Sequence, residues 1–194
     1  MDKKLKIALA QLNPLVGDVS GNADKLISIR SKLNSEVDLL VAPELYISGY
    51  PIDDLVLRED FLNLVESEIN KLVEITGDGK SAMIFGAPRK DNKVIKNSVY
   101  VIENGEIVAI KDKYELPNTG VFDEQRIFTQ GELEDCVKIK NVKFGLPICE
   151  DIWEKTVLEK LSKNGAEIIV AINASPFTTS KSFERDHVTL SRVK

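Results

Sequence analysis

Four residues with reactive or hydrogen-bonding side chains share one placement: each directly follows an apolar run. Glu44 follows DLLVAP, Lys113 follows EIVAIKD, Cys149 follows VKFGLPI and Ser175 follows EIIVAINA. In open α/β sheets the carboxyl ends of the strands form the ligand crevice. If these runs are neighbouring strands, a carboxylate, an ammonium, a thiol and a hydroxyl meet in one cleft. The chemistry of such a set is nucleophilic attack on a carbonyl. A thiol attacks as its thiolate and needs a base or a positive field to become one. The single histidine, His187, lies beside Arg185 and Asp186 in a helical pattern, where a solvated residue is commoner than a catalytic partner. A carboxylate base with a lysine supplying positive charge is therefore preferred over a Cys-His pair.

Taken singly, each residue has an ordinary explanation. Free cysteines are among the most buried residue types, although Cys149 heads the acidic pair Glu150-Asp151, which is unusual for a core position. Glu44 after Pro43 could cap its loop. Lys113 sits in a mixed-charge stretch with Lys111, Asp112 and Glu115 of the kind that is usually solvated. Ser175-Pro176 reads as a turn, Lys181-Ser182 as a helix start, and Trp153 as packing. Cys136 has no comparable surroundings and reads as structural or surface. Gly17 and Gly21 do not have the spacing of a phosphate loop.

The elements that must position these residues alternate between strands and amphipathic helices. The spacing predicts strands over Lys4 to Leu12, Asp38 to Ala42, 81–88 and Glu167 to Asn173, the second and the last of them buried. It predicts helices over 22–34 with Asn22 as cap, over 59–76 with Gly77 as stop, over 153–164 with Gly165 as cap, and from near Ser182 onward. Asn104-Gly105 marks a hairpin within 97–114, because both residues tolerate positive φ. A second antiparallel pair is expected over Val137 to Ile148, turning near Asn141. Strands apolar on both faces require covering layers, so the fold class is α/β with a mixed sheet.

The 194 residues form one expected domain, 1–194, with 43% hydrophobic and 29% charged residues. The formal net charge of -5 gives no electrostatic attraction to nucleic acid or to an anionic membrane, and the Lys3-Lys4 pair is too short to form a basic patch. No apolar stretch is long enough to span a bilayer. Two cysteines do not make a disulfide framework, so a cytoplasmic location with free thiols is expected. The N-terminal apolar run is broken by Gln11 and Asn13 and reads as a strand, not a signal peptide. The sequence stops at Ser191-Arg192-Val193-Lys194 inside a helical pattern, the expectation being a domain incomplete at its C-terminal end.

Four segments carry a resemblance to a known family. VAPELYISGYPIDDLVLR (41–58) resembles the first catalytic motif of nitrilase-superfamily amidases. KYELPNTGVFDEQRIF (113–128) is similar to a lysine motif, FGLPICEDIW (144–153) to a nucleophile motif, and NASPF (173–177) to a substrate-binding strand end. Their content and order resemble the glutaminase, or carbon-nitrogen hydrolase, domain of glutamine-dependent NAD synthetases. The resemblance implies a four-layer α-β-β-α sandwich. It implies Cys149 as nucleophile, Glu44 as general base, Lys113 as the oxyanion-stabilising cation and Glu124 as the carboxylate holding that lysine. It places Thr119, Ser175 and Lys181 at the bound glutamine, with Tyr50, Glu150 and Trp153 lining the pocket. One departure is Thr119, where the family pattern usually has tyrosine after Leu-Pro-Asn.

The implied reaction is hydrolysis of the L-glutamine side-chain amide through a Cys thioester. The ammonia passes to a synthetase domain that amidates nicotinic acid adenine dinucleotide with ATP. No metal or organic cofactor is implied for this chain; ATP and magnesium are expected in the synthetase domain, which this sequence lacks. The implied partners are glutamine, that synthetase domain and further copies of the chain in a homo-oligomer. Two other readings stay open: a stand-alone nitrilase-type amidase acting on another amide or a nitrile, and an inactive, truncated fragment of the domain.

Overall fold

The computed structural model describes residues 4–33, 35–176, 178–179 and 181–192. Lys3 of the basic pair, Asn34 of the expected first helix, Phe177 of the NASPF segment, and Val193 and Lys194 of the C-terminal helical pattern lie outside the described residues.

Two sheets stack between helices. The first has five strands in chain order: β1 (Ile7–Leu9), β2 (Leu39–Val41), β3 (Ala82–Asp91), β4 (Val94–Glu103) and β5 (Glu106–Asp112). β1 to β3 run parallel, and β3 to β5 form antiparallel hairpins. The second sheet comprises β6 (Val137–Ile139), β7 (Val142–Gly145) and β8 (Ile168–Ile169). A parallel bridge between Ile148 and Ile172 carries the β7–β8 pairing onward. Helices α1 (Val19–Ser31) and α2 (Glu59–Ile75) lie on the first sheet, and α3 (Lys155–Lys163) lies on the outer side of the second. The fourth helix, α4 (Lys181–Arg192), has no buried residue.

The two-residue side-chain period of a strand explains the layering. Leu40, Met83, Phe85, Tyr100 and Ile102 face α1 and α2. Their neighbours Leu39, Val41, Ile84, Val99 and Val101 face the second sheet, where they meet Val137, Ile139 and Phe144. Both faces are therefore dry, which is why these strands read as continuous apolar runs. Phe85 and Tyr100 pair directly across β3 and β4 and stack with ring centroids 5.6 Å apart. The result is the α-β-β-α sandwich. Asn104 (φ 53) with Gly105 (φ 81), and Lys140 (φ 51) with Asn141 (φ 70), form the two expected turns. Among the described residues no helix is long and apolar enough to cross a membrane.

Several boundaries differ from the sequence expectations. Asp18, not Asn22, caps α1: its side chain accepts from Gly21 N at 3.1 Å. Asn22 lies inside the helix, buried, bonding both backbone groups of Leu15 and the carbonyl of Ile47. α2 tightens into a 3₁₀ turn over Thr76–Asp78, so the left-handed stop falls at Gly79 (φ 71), two residues past Gly77. The first and last strands shrink to Ile7–Leu9 and Ile168–Ile169. Each is an edge strand bonded on one side, and Leu9 and Ile169 are 75% and 41% exposed. Glu167 to Asn173 is thus not the fully buried strand expected of it.

The loop after β2 is laid directly on β3. Gly86 N donates to Pro43 O at 3.0 Å and Ile47 N donates to Gly86 O at 3.2 Å. A Cβ on Gly86 would stand 2.7 Å from Glu44 Cα and collide with Leu45 N, so the absence of a side chain is what lets Glu44 approach the sheet. Gly86→Ala is expected to lower stability by about 1–3 kcal/mol through overpacking. Urea unfolding against the wild-type chain checks this. Ser162→Ala, on α3 at the far side of the second sheet, serves as a control expected to leave stability within about 0.5 kcal/mol.

Candidate active site

Lys113 leaves β5 with its backbone clamped from both sides: its N–H donates to Asn97 O at 2.8 Å, and its carbonyl accepts from Gly131 N at 2.8 Å. The side chain is 1% exposed and ends between two carboxylates. Nζ lies 2.7 Å from Glu44 Oε1 and 2.8 Å from Glu124 Oε1. Glu124 opens a 3₁₀ turn over Glu124–Arg126, with its N–H on Pro117 O at 3.2 Å, and also accepts from the Tyr50 hydroxyl at 3.0 Å. A lysine in a charged stretch reads as surface; here it is the charge that makes two buried carboxylates tolerable.

Glu44 is held at both oxygens. Besides Lys113, Oε1 accepts from Asn97 Nδ2 at 2.9 Å, and Oε2 accepts from Ala174 N at 3.0 Å. The next residue, Ser175, places its Oγ 3.4 Å from Cys149 Sγ. The 174–175 peptide thus touches the carboxylate with one residue and the thiol with the next. Cys149 turns the chain out of the second sheet in a left-handed conformation (φ 46) and donates its N–H to Ile172 O at 2.9 Å. A non-glycine residue held in that region costs on the order of 1–3 kcal/mol and is found where surrounding structure over-determines it. The N–H of Glu150 has no hydrogen-bond acceptor among the described residues. A cavity of about 270 Å³ opens beside Glu44, Tyr50 and the Asn173–Ser175 strand end.

The electrostatics follow from burial and from the order of charges. Burial pushes the Cys149 thiol up to about 12; the Glu44 charge adds to this and Lys113 opposes it. Burial pulls on Lys113 in the discharging direction, but Glu44 and Glu124 outweigh it, and the ammonium is held above its ordinary value. Glu124 is raised by burial and by Glu44 against the pull of Lys113. Tyr50 is raised by burial and by the same two carboxylates. The resting site therefore holds a neutral thiol next to a charged lysine, an arrangement suited to removing the thiol proton as the sulfur attacks.

The other expected residues divide into two groups. Tyr50 and Ser175 belong to the centre. Lys181 and Trp153 stand beside it: Lys181 Nζ lies 5.6 Å from the Trp153 ring centroid and 6.0 Å from that of Phe122, whose ring in turn lies 6.3 Å from Tyr50. Phe122 was not among the expected site residues, since an aromatic in a loop motif reads as packing. Glu150 is half-buried in the turn that begins at Cys149. Thr119 is exposed, and it is its carbonyl that accepts from Phe122 N at 3.1 Å. Asn97 and Asp151 were also not anticipated. Asn97 carries no signal in an apolar strand, and Asp151 read as part of an acidic run.

The layered architecture is that of the nitrilase fold. The chain belongs to the carbon-nitrogen hydrolase family, whose model matches residues 6–193. It is 40% identical over 183 residues to a glutamine-dependent NAD(+) synthetase of Thermotoga maritima, covering 92% of this chain and 31% of that protein. It is 36% identical over 194 residues to the enzyme of the same name from Rhodobacter capsulatus, covering 100% of this chain and 35% of that protein. Among solved structures it is similar to the glutamine-dependent NAD+ synthetase of Acinetobacter baumannii in complex with ADP. That likeness has a TM-score of 0.91 at 33% identity and covers 98% of this chain and 36% of the other. The chain thus spans about a third of the length of these relatives.

Two outcomes follow from the site's charges. The folded state keeps on Cys149 a proton that the unfolded chain releases, so this group's contribution makes stability fall as pH rises from about 9 toward about 12. Cys149→Ala should flatten that alkaline decline in urea titrations. At about pH 8, iodoacetamide should react with folded Cys149 more slowly than with the unfolded chain by a factor on the order of 10³, read by mass spectrometry of the peptide. Lys113→Met leaves two buried carboxylates without their counter-charge. It should cost about 3–5 kcal/mol near neutral pH, part of it recovered as pH falls and a carboxylate protonates.

Proposed function

We propose that this chain is a single carbon-nitrogen hydrolase domain acting as the ammonia-releasing glutaminase part of a glutamine-dependent NAD synthetase. The observation that carries the reading is the triad at the strand ends. A buried ammonium contacts the Glu44 carboxylate, the Ser175 hydroxyl reaches the Cys149 thiol, and a cavity lined by Glu44 and Ser175 opens between them, in a chain 33–40% identical to proteins of that name.

In this reading Glu44 takes the Cys149 proton as sulfur attacks the side-chain carbonyl carbon of L-glutamine. The remaining lone-pair capacity of Oε2, which accepts one backbone N–H, makes it the basic atom. Negative charge develops on the carbonyl oxygen between Lys113 Nζ and the N–H of Glu150; one donor of this kind contributes about 10²- to 10³-fold in rate. The C–N bond breaks, the Glu44 proton passes to the leaving nitrogen, and ammonia departs from a glutamyl thioester. Glu44 next accepts a proton from water as its oxygen attacks the thioester carbon. Glutamate leaves, and the proton returns to sulfur. Glu124 and Tyr50 hold the Lys113 ammonium in place throughout.

The same reading gives the second group of residues to the substrate's amino-acid end. Lys181, poised over Phe122 and Trp153, offers a cation for the α-carboxylate, and Ser175 offers a hydroxyl beside the thiol. Thr119 contributes to glutamine binding through the turn that presents Phe122. The ammonia serves a synthetase domain that amidates nicotinic acid adenine dinucleotide, and ATP with magnesium act there, not at the triad. A cytoplasmic location and a homo-oligomer complete the proposal; the exposed Phe183 and Leu190 on α4 supply apolar surface for association.

Glutamate release from glutamine tests it. Wild-type chain should produce glutamate and ammonia in equal amounts. Cys149→Ala should reduce this to background, and Glu44→Gln should lower kcat by about 10²- to 10⁴-fold. Turnover of short aliphatic amides or nitriles with none of glutamine would overturn the glutaminase assignment in favour of a stand-alone amidase.

A further inference from the structure

Asp151 is 3% exposed and sits two residues past the proposed nucleophile. Its carboxylate is not spent on a cation. Oδ1 accepts from Glu115 N at 2.7 Å and Tyr114 N at 3.2 Å, the two residues that follow Lys113. Oδ2 accepts from Ile148 N at 2.8 Å, the residue before Cys149. One rigid, planar group therefore ties the loop carrying the lysine to the turn carrying the thiol, across more than thirty residues of sequence. Both bonded segments adjoin catalytic residues on the side where the chain leaves a sheet. Among the described residues no other side chain hydrogen-bonds to both segments.

We propose that Asp151 is a positioning residue that fixes the Lys113 ammonium relative to the Cys149 sulfur, and thereby sets how readily the thiol ionises during attack. This rests on the reading of Cys149 and Lys113 as catalytic. The requirement for a carboxylate is specific. Two oxygens that both accept are needed, because N–H groups approach from two sides. An asparagine of the same shape presents a donor on one side and must break either the Ile148 bond or the Tyr114 and Glu115 bonds. Burying an acid where desolvation pushes it up to about 6 is a cost the fold bears for those three bonds.

The test compares Asp151→Asn with wild type in glutamine hydrolysis and in the pH dependence of Cys149 alkylation. The expected result is a fall in kcat of about 10²-fold, the size of effect that a displacement on the order of 1 Å produces in a catalytic group. KM should stay within about threefold, and the thiol titration should move to higher pH. Adding Asp151→Asn to Lys113→Met should cause no further loss, since the two changes act through one interaction. A lowered melting temperature with unchanged kcat and unchanged thiol titration would overturn the proposal, as would full additivity in the double variant. If Asp151→Asn does not fold, amide hydrogen exchange in the wild-type chain decides. The amides of Tyr114, Glu115 and Ile148 should open together, and independent opening of Ile148 sinks the strut. Failure of the underlying reading is distinguishable, because then wild type itself releases no glutamate or Cys149→Ala retains activity.

Discussion

The ammonium of Lys113, buried between Glu44 and Glu124, governs both the cost and the chemistry of the strand-end cluster. Two carboxylates lie within hydrogen-bond reach of one nitrogen, all nearly inaccessible to water; the shared cation offsets part of their cost, while Glu124 Oε2 has no hydrogen-bond partner among the described residues. Remove the cation and the interior holds unpaired acids. Remove either acid and the lysine loses one of the two charges that hold its ammonium above the ordinary value. The same three groups set the state of the thiol next to them, with Glu44 and Lys113 acting on Cys149 in opposite directions.

The fold serves this cluster by bringing strand ends together. Glu44 comes from the first sheet after β2, Lys113 from the same sheet after β5, and Cys149 and Ser175 from the second sheet after β7 and β8. None of these is a neighbour in sequence. What holds them in register is backbone: Gly86 against the Glu44 loop, Asn97 O on Lys113 N, Ile172 O on Cys149 N, and Ala174 N on Glu44. Where side chains enter, they act on that backbone or on the charges, as Asn97 does on Glu44 and Asp151 on three amides. The left-handed turn at Cys149 is held by the same bonds, so backbone strain and the proposed chemistry share one residue.

Much of this was legible in the sequence, for identifiable reasons. Apolar runs ending in Glu44, Lys113, Cys149 and Ser175 marked the strand ends because strands dry on both faces leave a continuous signal. Asn104-Gly105 and Asn141 marked turns because few residues accept positive φ. The cap at Asp18 was missed in favour of Asn22, since both residue types cap helices and the choice is made by tertiary bonds to Leu15 and Ile47. The edge strands were overestimated because hydrophobicity reports burial in general, not the pairing that ends after three residues of β2. Asn97, Phe122 and Asp151 were illegible as site residues. Their roles lie in contacts across long sequence separations, and a polar residue in a strand or an acid in an acidic run looks the same without them.

Acylation of the Cys149 sulfur by the substrate can be caught by acid-quenching the chain during turnover of glutamine and weighing its peptides. The expected result is a glutamyl group on the peptide containing Cys149, none on that containing Cys136, and loss of the adduct in Cys149→Ala. Glutamate formed at full rate with no adduct on Cys149, or an adduct on another residue, would contradict it.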